Sequence, residues 1–325
     1  GDNLPAVLAP FYDLDNNAAY DYTKGDFPFI MGNKASYFIC NDVRGEHVIS
    51  AGPPLTAEMQ LMTYFADEPA LKDVVFINAF VVNRSDFLYK DLYIGFYSNM
   101  VLGNKNDNFI GTDVSRSMVF GYNGDNDDEG TGGYGKDVPA FGVQLLNQKI
   151  SSSSAFFASD SLRDFPNSAV QVRNAMEGKW IDGTDKAMNG KGTGGGISTK
   201  YLYAGKTEPL HPEIDWKEIE TSESAGVRNI LIVSGPYQLG IGQSIKLDLA
   251  CLAVSNVNHL SELGALADRV KAYYQTSLKT IKNSITTETI KVWPNPIKPG
   301  DVLNILVNNK EPFAVVIKDL SGKTV

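Results

Sequence analysis

Residues 74–85 (VVFINAFVVNRS) and 88–99 (LYKDLYIGFYSN) limit the fold more than any other part of the chain. In the first stretch Val74, Phe76, Phe80 and Val82 recur with a period of two, the signature of a strand. In the second, Leu92, Ile94 and Phe96 fall on one face and Tyr89, Tyr93 and Tyr97 on the other. A strand that is apolar on both faces needs cover on both, so these segments belong in the middle of packed sheets. The tyrosines then read as core residues with a solvated hydroxyl rather than as a stacking platform for sugars.

Other segments extend this pattern. Residues 35–42 alternate as a strand, and residues 115–123 and 138–147 read as strands on either side of an acidic loop. Residues 229–236 and 244–254 are expected to pair as a hairpin through the turn YQLGIGQ. Residues 104–113 read as a polar turn, Ser152 to Ser154 as a flexible link, and Phe156-Phe157 as a short strand. A helix is predicted over 163–181, with Phe165, Val170, Val172 and Met176 as its apolar stripe and Gly178 near its end. A second helix is expected to be capped by Ser261 and to run to about Leu278, burying Leu263, Leu266, Val270 and Tyr273-Tyr274. Thirty glycines, fifteen prolines, fifteen tyrosines and sixteen phenylalanines suit such a chain. The expected fold is mainly β: a β-sandwich-rich body over residues 1–280, as one large sandwich or two sub-domains, with few helices. A small partial β-sandwich follows over residues 281–325.

The polar run KTIKNSITTE (279–288) marks that boundary, and from Ile281 onward six lysines face four acids in an otherwise acidic chain. With 325 residues, 43% of them hydrophobic, the body can bury a full core. A net charge of −9 and a pI near 4.9 argue against nucleic acid and anionic membrane as partners, because both require a basic face. No apolar run approaches the ~18 residues that a spanning helix needs. The opening Gly1-Asp2 fits a mature or trimmed chain. Cys40 and Cys251 both lie in apolar strand-like segments and read as free, buried thiols.

The best metal signal lies at residues 11–28. Asp13, Asp15, Asn17 and Asp21 occupy positions 1, 3, 5 and 9 of a calcium-loop pattern, with the Ala19 carbonyl at position 7. Alternate oxygen side chains suit a hard cation because a tight loop turns them all inward. Ala18 stands where the turn glycine belongs and Lys24 where the bidentate glutamate belongs, and Asp26 is the carboxylate that could replace the latter. Calcium is the expected cofactor. A weaker candidate is the loop with Asp125, Asp127, Asp128 and Glu129, whose consecutive carboxylates cannot all face one ion. Asp107 and Asp113, one strand earlier, are the residues that would complete a site with Asp125 and Asp127.

Catalytic signatures are missing from the sequence. HExxH, GxSxG and paired CxxC motifs do not occur, and His47, His211 and His259 are far apart. Gly205-Lys206-Thr207 and Gly322-Lys323-Thr324 lack the leading glycine of a phosphate loop. The glycine-dense run at 183–200 does not join a strand to a helix, so it reads as a surface loop. A catalytic site assembled only by the fold would draw on His211, Glu213 and Asp215.

Val292-Trp293-Pro294-Asn295-Pro296, then Leu303-Asn304-Ile305, Val316-Ile317-Lys318-Asp319 and Gly322-Lys323-Thr324-Val325, resemble the first half of the type A C-terminal sorting domain of the type IX secretion system. That resemblance implies export across the outer membrane of a Gram-negative bacterium, with the type IX machinery as a partner, and secretion or cell-surface attachment. The body resembles a group of surface proteins that carry the same tail. The residues that carry this likeness include Asp13-Leu14-Asp15, Lys24-Gly25-Asp26-Phe27-Pro28, Val82-Asn83-Arg84-Ser85, Tyr122-Asn123-Gly124-Asp125, Trp180-Ile181-Asp182-Gly183-Thr184 and Ser234-Gly235-Pro236. The expected role is non-catalytic: adhesion, binding of a surface polymer or glycan, or surface structure. The alternative is an exported hydrolase, glycosidase-like or peptidase-like, with two carboxylates ~5 to 9 Å apart in a cleft.

Overall fold

The computed structural model describes residues 9–158, 160–278, 290–293 and 304–307. They fall into two compact units, Ile30–Tyr274 on one side and the residues up to Phe29 with those from Gln275 on the other. The second of these holds β1 (Phe11–Tyr12), which pairs antiparallel with β2 (Phe27–Pro28). The main unit runs β3 (Lys34–Asn41), β4 (Ala57–Phe65), β5 (Val74–Asn83), β6 (Tyr89–Met100), β7 (Asn108–Asp113) and β8 (Met118–Asn123). It continues with β9 (Pro139–Leu145), β10 (Ser152–Phe156), α1 (Ala169–Met176), β11 (Lys186–Ala187) and β12 (Ser198–Thr199). It ends with β13 (Arg228–Leu239), β14 (Ser244–Ser255) and α2 (His259–Tyr273). In the tail β15 (Ile290–Trp293) pairs antiparallel with β16 (Asn304–Val307), and the rest of the partial β-sandwich expected over 281–325 lies outside the described residues.

The chain is mainly β, as its period-two segments require. Seven strands form one antiparallel sheet in the order β3-β4-β5-β14-β9-β8-β7, and three form another in the order β10-β13-β6. Ile77 and Val81 of β5, Val143 and Leu145 of β9 and Leu247 and Leu249 of β14 pack in one core with Ile230 and Ile232 of β13. Ile94 and Phe96 of β6 close on that core. The outer faces are covered as well. Ala175 of α1 joins Phe156, Leu231 and Val233 in a second cluster, with Tyr93 and Met176 packed against it. Gly95 permits this approach, because a Cβ there would sit 2.8 Å from Leu231 Cδ1 and 2.9 Å from Met176 Sδ. Over the larger sheet, α2 buries Leu263, Leu266, Ala267 and Val270.

Several expectations are corrected. The hairpin over 229–254 does not form: β13 pairs with β10 and β6, whereas β14 pairs with β5 and β9. Both strands are apolar on both faces, so alternation could not say which sheet each would join. Asn83, fully buried, fixes the corner between them. Its N–H donates to the Gln243 carbonyl at 2.9 Å and its side-chain amide to the Leu239 carbonyl at 2.9 Å. The polar turn over 104–113 contains β7, and the serines read as a flexible link are the buried strand β10. The first helix is shorter than predicted, with Ser168 capping the Gln171 N–H, and Val170 of its proposed stripe is exposed. The second helix begins at His259, and Ser261 Oγ donates to the Asn258 carbonyl instead of capping it. Cys40 and Cys251 are free but only half-buried rather than buried, on strands separated by β4 and β5, and burial lifts the Cys251 thiol to about 11.

The glycine-dense stretch and the segment after it close sheet edges. On β10, the Ser153 N–H donates to the Lys200 carbonyl at 3.0 Å, and Lys186 Nζ donates to the Ser153 carbonyl at 2.9 Å and to Ser154 Oγ at 2.7 Å. On β7, the Ile110 N–H donates to Glu218 Oε2 at 2.7 Å and the Thr112 N–H to the Tyr203 carbonyl at 3.1 Å. The Asn108 carbonyl accepts the Gly226 N–H at 3.0 Å. Beneath these contacts Glu218 Oε1 accepts from Arg228 Nε at 2.7 Å. The Arg228 and Arg163 guanidinium carbons lie 4.8 Å and 4.4 Å from the Phe157 ring centroid. Arg163 also meets Glu223 at 3.1 Å, and Lys191 meets Glu223 at 2.7 Å.

Candidate functional site

The carboxylate loop between β1 and β2 assembles Asp13, Asp15 and Asp26, each offering an oxygen within 4.8 Å of the others. The loop is held by local bonds that the Asp and Asn content favours. Asp13 Oδ2 accepts the Ala18 N–H at 2.7 Å and Oδ1 the Asn17 N–H at 3.2 Å. Burial, the largest single influence, raises the Asp13 carboxyl, but these N–H groups together outweigh it and hold the carboxyl below its usual range. Asp26, 1% exposed, accepts the Leu14 N–H at 2.9 Å and the Asp21 N–H at 2.8 Å. Asn17 stays beside the group, donating from Nδ2 to Asp15 Oδ2 at 2.9 Å. Asp21 turns away to cap Thr23, accepting its N–H at 2.9 Å and its hydroxyl at 2.6 Å. Of the four residues picked out by spacing, two converge, one supports them and one caps a turn. Asp26 takes the remaining place. Three carboxylates fit a hard cation by donor chemistry, since every oxygen that accepts one N–H keeps another lone pair.

The acidic loop between β8 and β9 scatters its carboxylates. Asp127 pairs with Lys136 at 2.6 Å, and Asp125 Oδ1 accepts the Asp127 N–H at 2.8 Å. Asp113 lies at the far end of β7, about 20 Å of extended chain away from Asp107, and pairs with Arg116 at 2.6 Å. Asp107, Asp113, Asp125 and Asp127 therefore do not form one site. Asp107 instead faces Asp128 and Glu129, and burial together with those two charges pushes its carboxyl up to about 6.

Among the concavities of the main unit, one lies beside β6 and another beside β7 and β8. A groove of about 570 Å³ runs beside the N-terminal half of β6 and is lined by Leu55, Phe87, Tyr89, Tyr93, Lys90 and Arg173, among others. Phe87 is 49% exposed and meets the Tyr89 ring edge-on at 5.5 Å. Tyr89 is fixed by its hydroxyl, which donates to the Leu55 carbonyl at 2.7 Å. Arg173 lies over the Tyr93 ring at 4.9 Å and donates to the Asp91 carbonyl at 2.9 Å. β6 ends its sheet here, so the groove follows an open strand edge. The second concavity, about 390 Å³, lies between the outer face of β7 and β8 and α2, with Asp113 and Asp215 on its wall. Both carboxylates are paired, Asp113 with Arg116 and Asp215 with Lys217 at 2.8 Å.

The histidines stand apart. His47 lies 3.5 Å from Asp42, His211 lies 3.2 Å from the exposed Glu213, and His259 is buried against Tyr122. Sequence reading missed the groove residues Phe87, in the β5–β6 loop, and Arg173, on α1, which line one groove only through the packing of α1 beside β6. It also missed Lys186, whose burial no linear signal announces. Compared with protein-family models and with curated proteins, the chain has no significant match.

Proposed function

We propose that this chain is a secreted or cell-surface protein of a Gram-negative bacterium that binds an extended surface polymer or glycan without catalysis. The observation that supports this reading is the groove beside β6. It combines an exposed aromatic ring at Phe87, a tyrosine pinned by its hydroxyl, and the charged groups Lys90 and Arg173 along an open strand edge. A polymer of polar repeats with apolar faces suits that mixture, because rings cover the faces while fixed donors hold the hydroxyls or carboxylates. The test is retention on a panel of immobilised polysaccharides. Binding is expected to weaken about five- to thirtyfold in Phe87→Ala, the loss typical of an aromatic anchor, with the melting temperature unchanged. A panel that retains neither protein would defeat the proposal.

Export would depend on the tail that contains β15 and β16. Removing residues 290–325 is expected to leave the protein in the periplasm, as read by cell fractionation. Continued secretion would refute type IX routing. Calcium would brace the first loop through Asp13, Asp15 and Asp26. At a hundredfold excess over its Kd it would add about 2.7 kcal/mol. The calcium-dependent rise in melting temperature should shrink in an Asp13→Asn, Asp15→Asn double variant, and an equal rise in both proteins would remove this role.

A further inference from the structure

The loops at one end of β7 and β8 enclose two carboxylates without a counter-charge. Asp128 is 1% exposed. Its Oδ1 accepts the Asn104 N–H at 2.9 Å and the Asn123 side-chain amide at 3.4 Å, and its Oδ2 accepts the Tyr134 N–H at 2.7 Å. Asp107 is anchored through its backbone, its carbonyl accepting the Gly124 N–H at 2.9 Å. Both its carboxylate oxygens are shielded from solvent and make no hydrogen bond of normal geometry, the Asn104 side chain being a weak donor beside them. The loop's own lysine, Lys136, is taken by Asp127, and among the described residues no ion pair reaches Asp107 or Asp128. Two shielded negative charges without a cation are costly to hold together.

Asn108 is a separate pointer to a ligand. It is fully buried, and neither its amide oxygen nor its amide nitrogen has a partner. It stands directly opposite Asn123 in the β7–β8 ladder, so both side chains leave the same face. The Asn123 amide on that face already touches Asp128. The chain is wrapped closely over the group: Gly103, at a φ of +53°, approaches so near that a Cβ would sit 1.8 Å from Asp128 Oδ2.

We propose that Asp107, Asn108 and Asp128 form a calcium centre at the base of the acidic loop, distinct from the carboxylates between β1 and β2. Carboxylate and amide oxygens are the donors of a hard divalent cation. Calcium accepts a mixed set from two chain segments more readily than magnesium, which demands a strict octahedron. The ion would neutralise the two carboxylates and use the Asn108 oxygen that no protein group satisfies.

Terbium, a luminescent calcium surrogate that tyrosine can sensitise, gives the test. The full chain carrying Asp13→Asn and Asp15→Asn, which silence the first loop, is titrated with terbium and then with calcium as competitor. Saturable luminescence displaced by calcium is expected. Adding Asp107→Asn should abolish it, without lowering the melting temperature in chelator, because the amide removes a like-charge repulsion. Binding that survives Asp107→Asn, or no binding before it, would overturn the proposal. In the unsubstituted chain calcium should slow hydrogen exchange at the Asn104 and Tyr134 amides at least tenfold. Equal exchange in calcium and in chelator would count against it equally. The polymer-binding reading and the first-loop calcium are scored by other variants, so either can fail alone.

Discussion

Glu218→Ala is expected to lower the stability of the main unit by about 3 to 5 kcal/mol, the cost of breaking a buried ion pair from one side. Glu218 and Arg228 are 0% and 4% exposed, so neither group can turn to water when its partner is lost. The substitution would leave the Arg228 guanidinium beside the Phe157 ring without its carboxylate, and the Ile110 N–H without an acceptor. Glu218→Gln keeps an acceptor for Ile110 and should fall between alanine and the parent. Denaturant midpoints with a common slope would measure both. A loss below about 1 kcal/mol for alanine, the scale of an exposed pair, would mean that the network is not closed in solution.

A second large effect concerns Lys186. Burial pushes its amine from 10.5 down to about 7, with two oxygen acceptors and the Trp180 ring 5.4 Å away but, among the described residues, no carboxylate paired with it. Its folded value is depressed, so between 7 and 10.5 the unfolded chain holds the proton that the folded chain has released. Stability therefore rises with pH across that interval, is fully gained above the unfolded value, and is lowest below the folded one. Between pH 7 and 9 the gain should reach about 2.5 kcal/mol. That interval keeps clear of the Cys251 thiol, which titrates from 9.0 upward. Lys186→Met should flatten this part of the profile and be the more stable protein at pH 7, because an apolar side chain suits the site better than a desolvated amine. Parallel slopes in the two proteins would assign the pH dependence to other groups.

What the chain discloses about itself depends on distance along it. The strands could be read because Val74, Phe76, Leu92 and Ile94 repeat at a period set by the backbone alone. Which strands pair could not, because β13 and β14 carry apolar residues on both faces and suit either sheet. Asp13 and Asp15 were legible from spacing within one loop, and Asp26 from its position just beyond. Asp107 was legible as an acid but not as a neighbour of Asp128 rather than Asp113, since the β7–β8 register alone brings them together. Lys186 and Glu218 carried no signal at all, because burial of a charged residue is decided by what folds over it.

The glycine-dense stretch looks expendable in composition, yet with the segment after it, it satisfies outward backbone groups of β7 and of β10, the terminal strands of two different sheets. A strand whose outward N–H and C=O groups are open is a template for a strand from another molecule. A proteolytic cut or a deletion within 186–226 would therefore do more than loosen a surface loop. It would uncover two such templates at once, in addition to the β6 edge, so the cover of β7 and β10 rests on the part of the sequence that looks least structured.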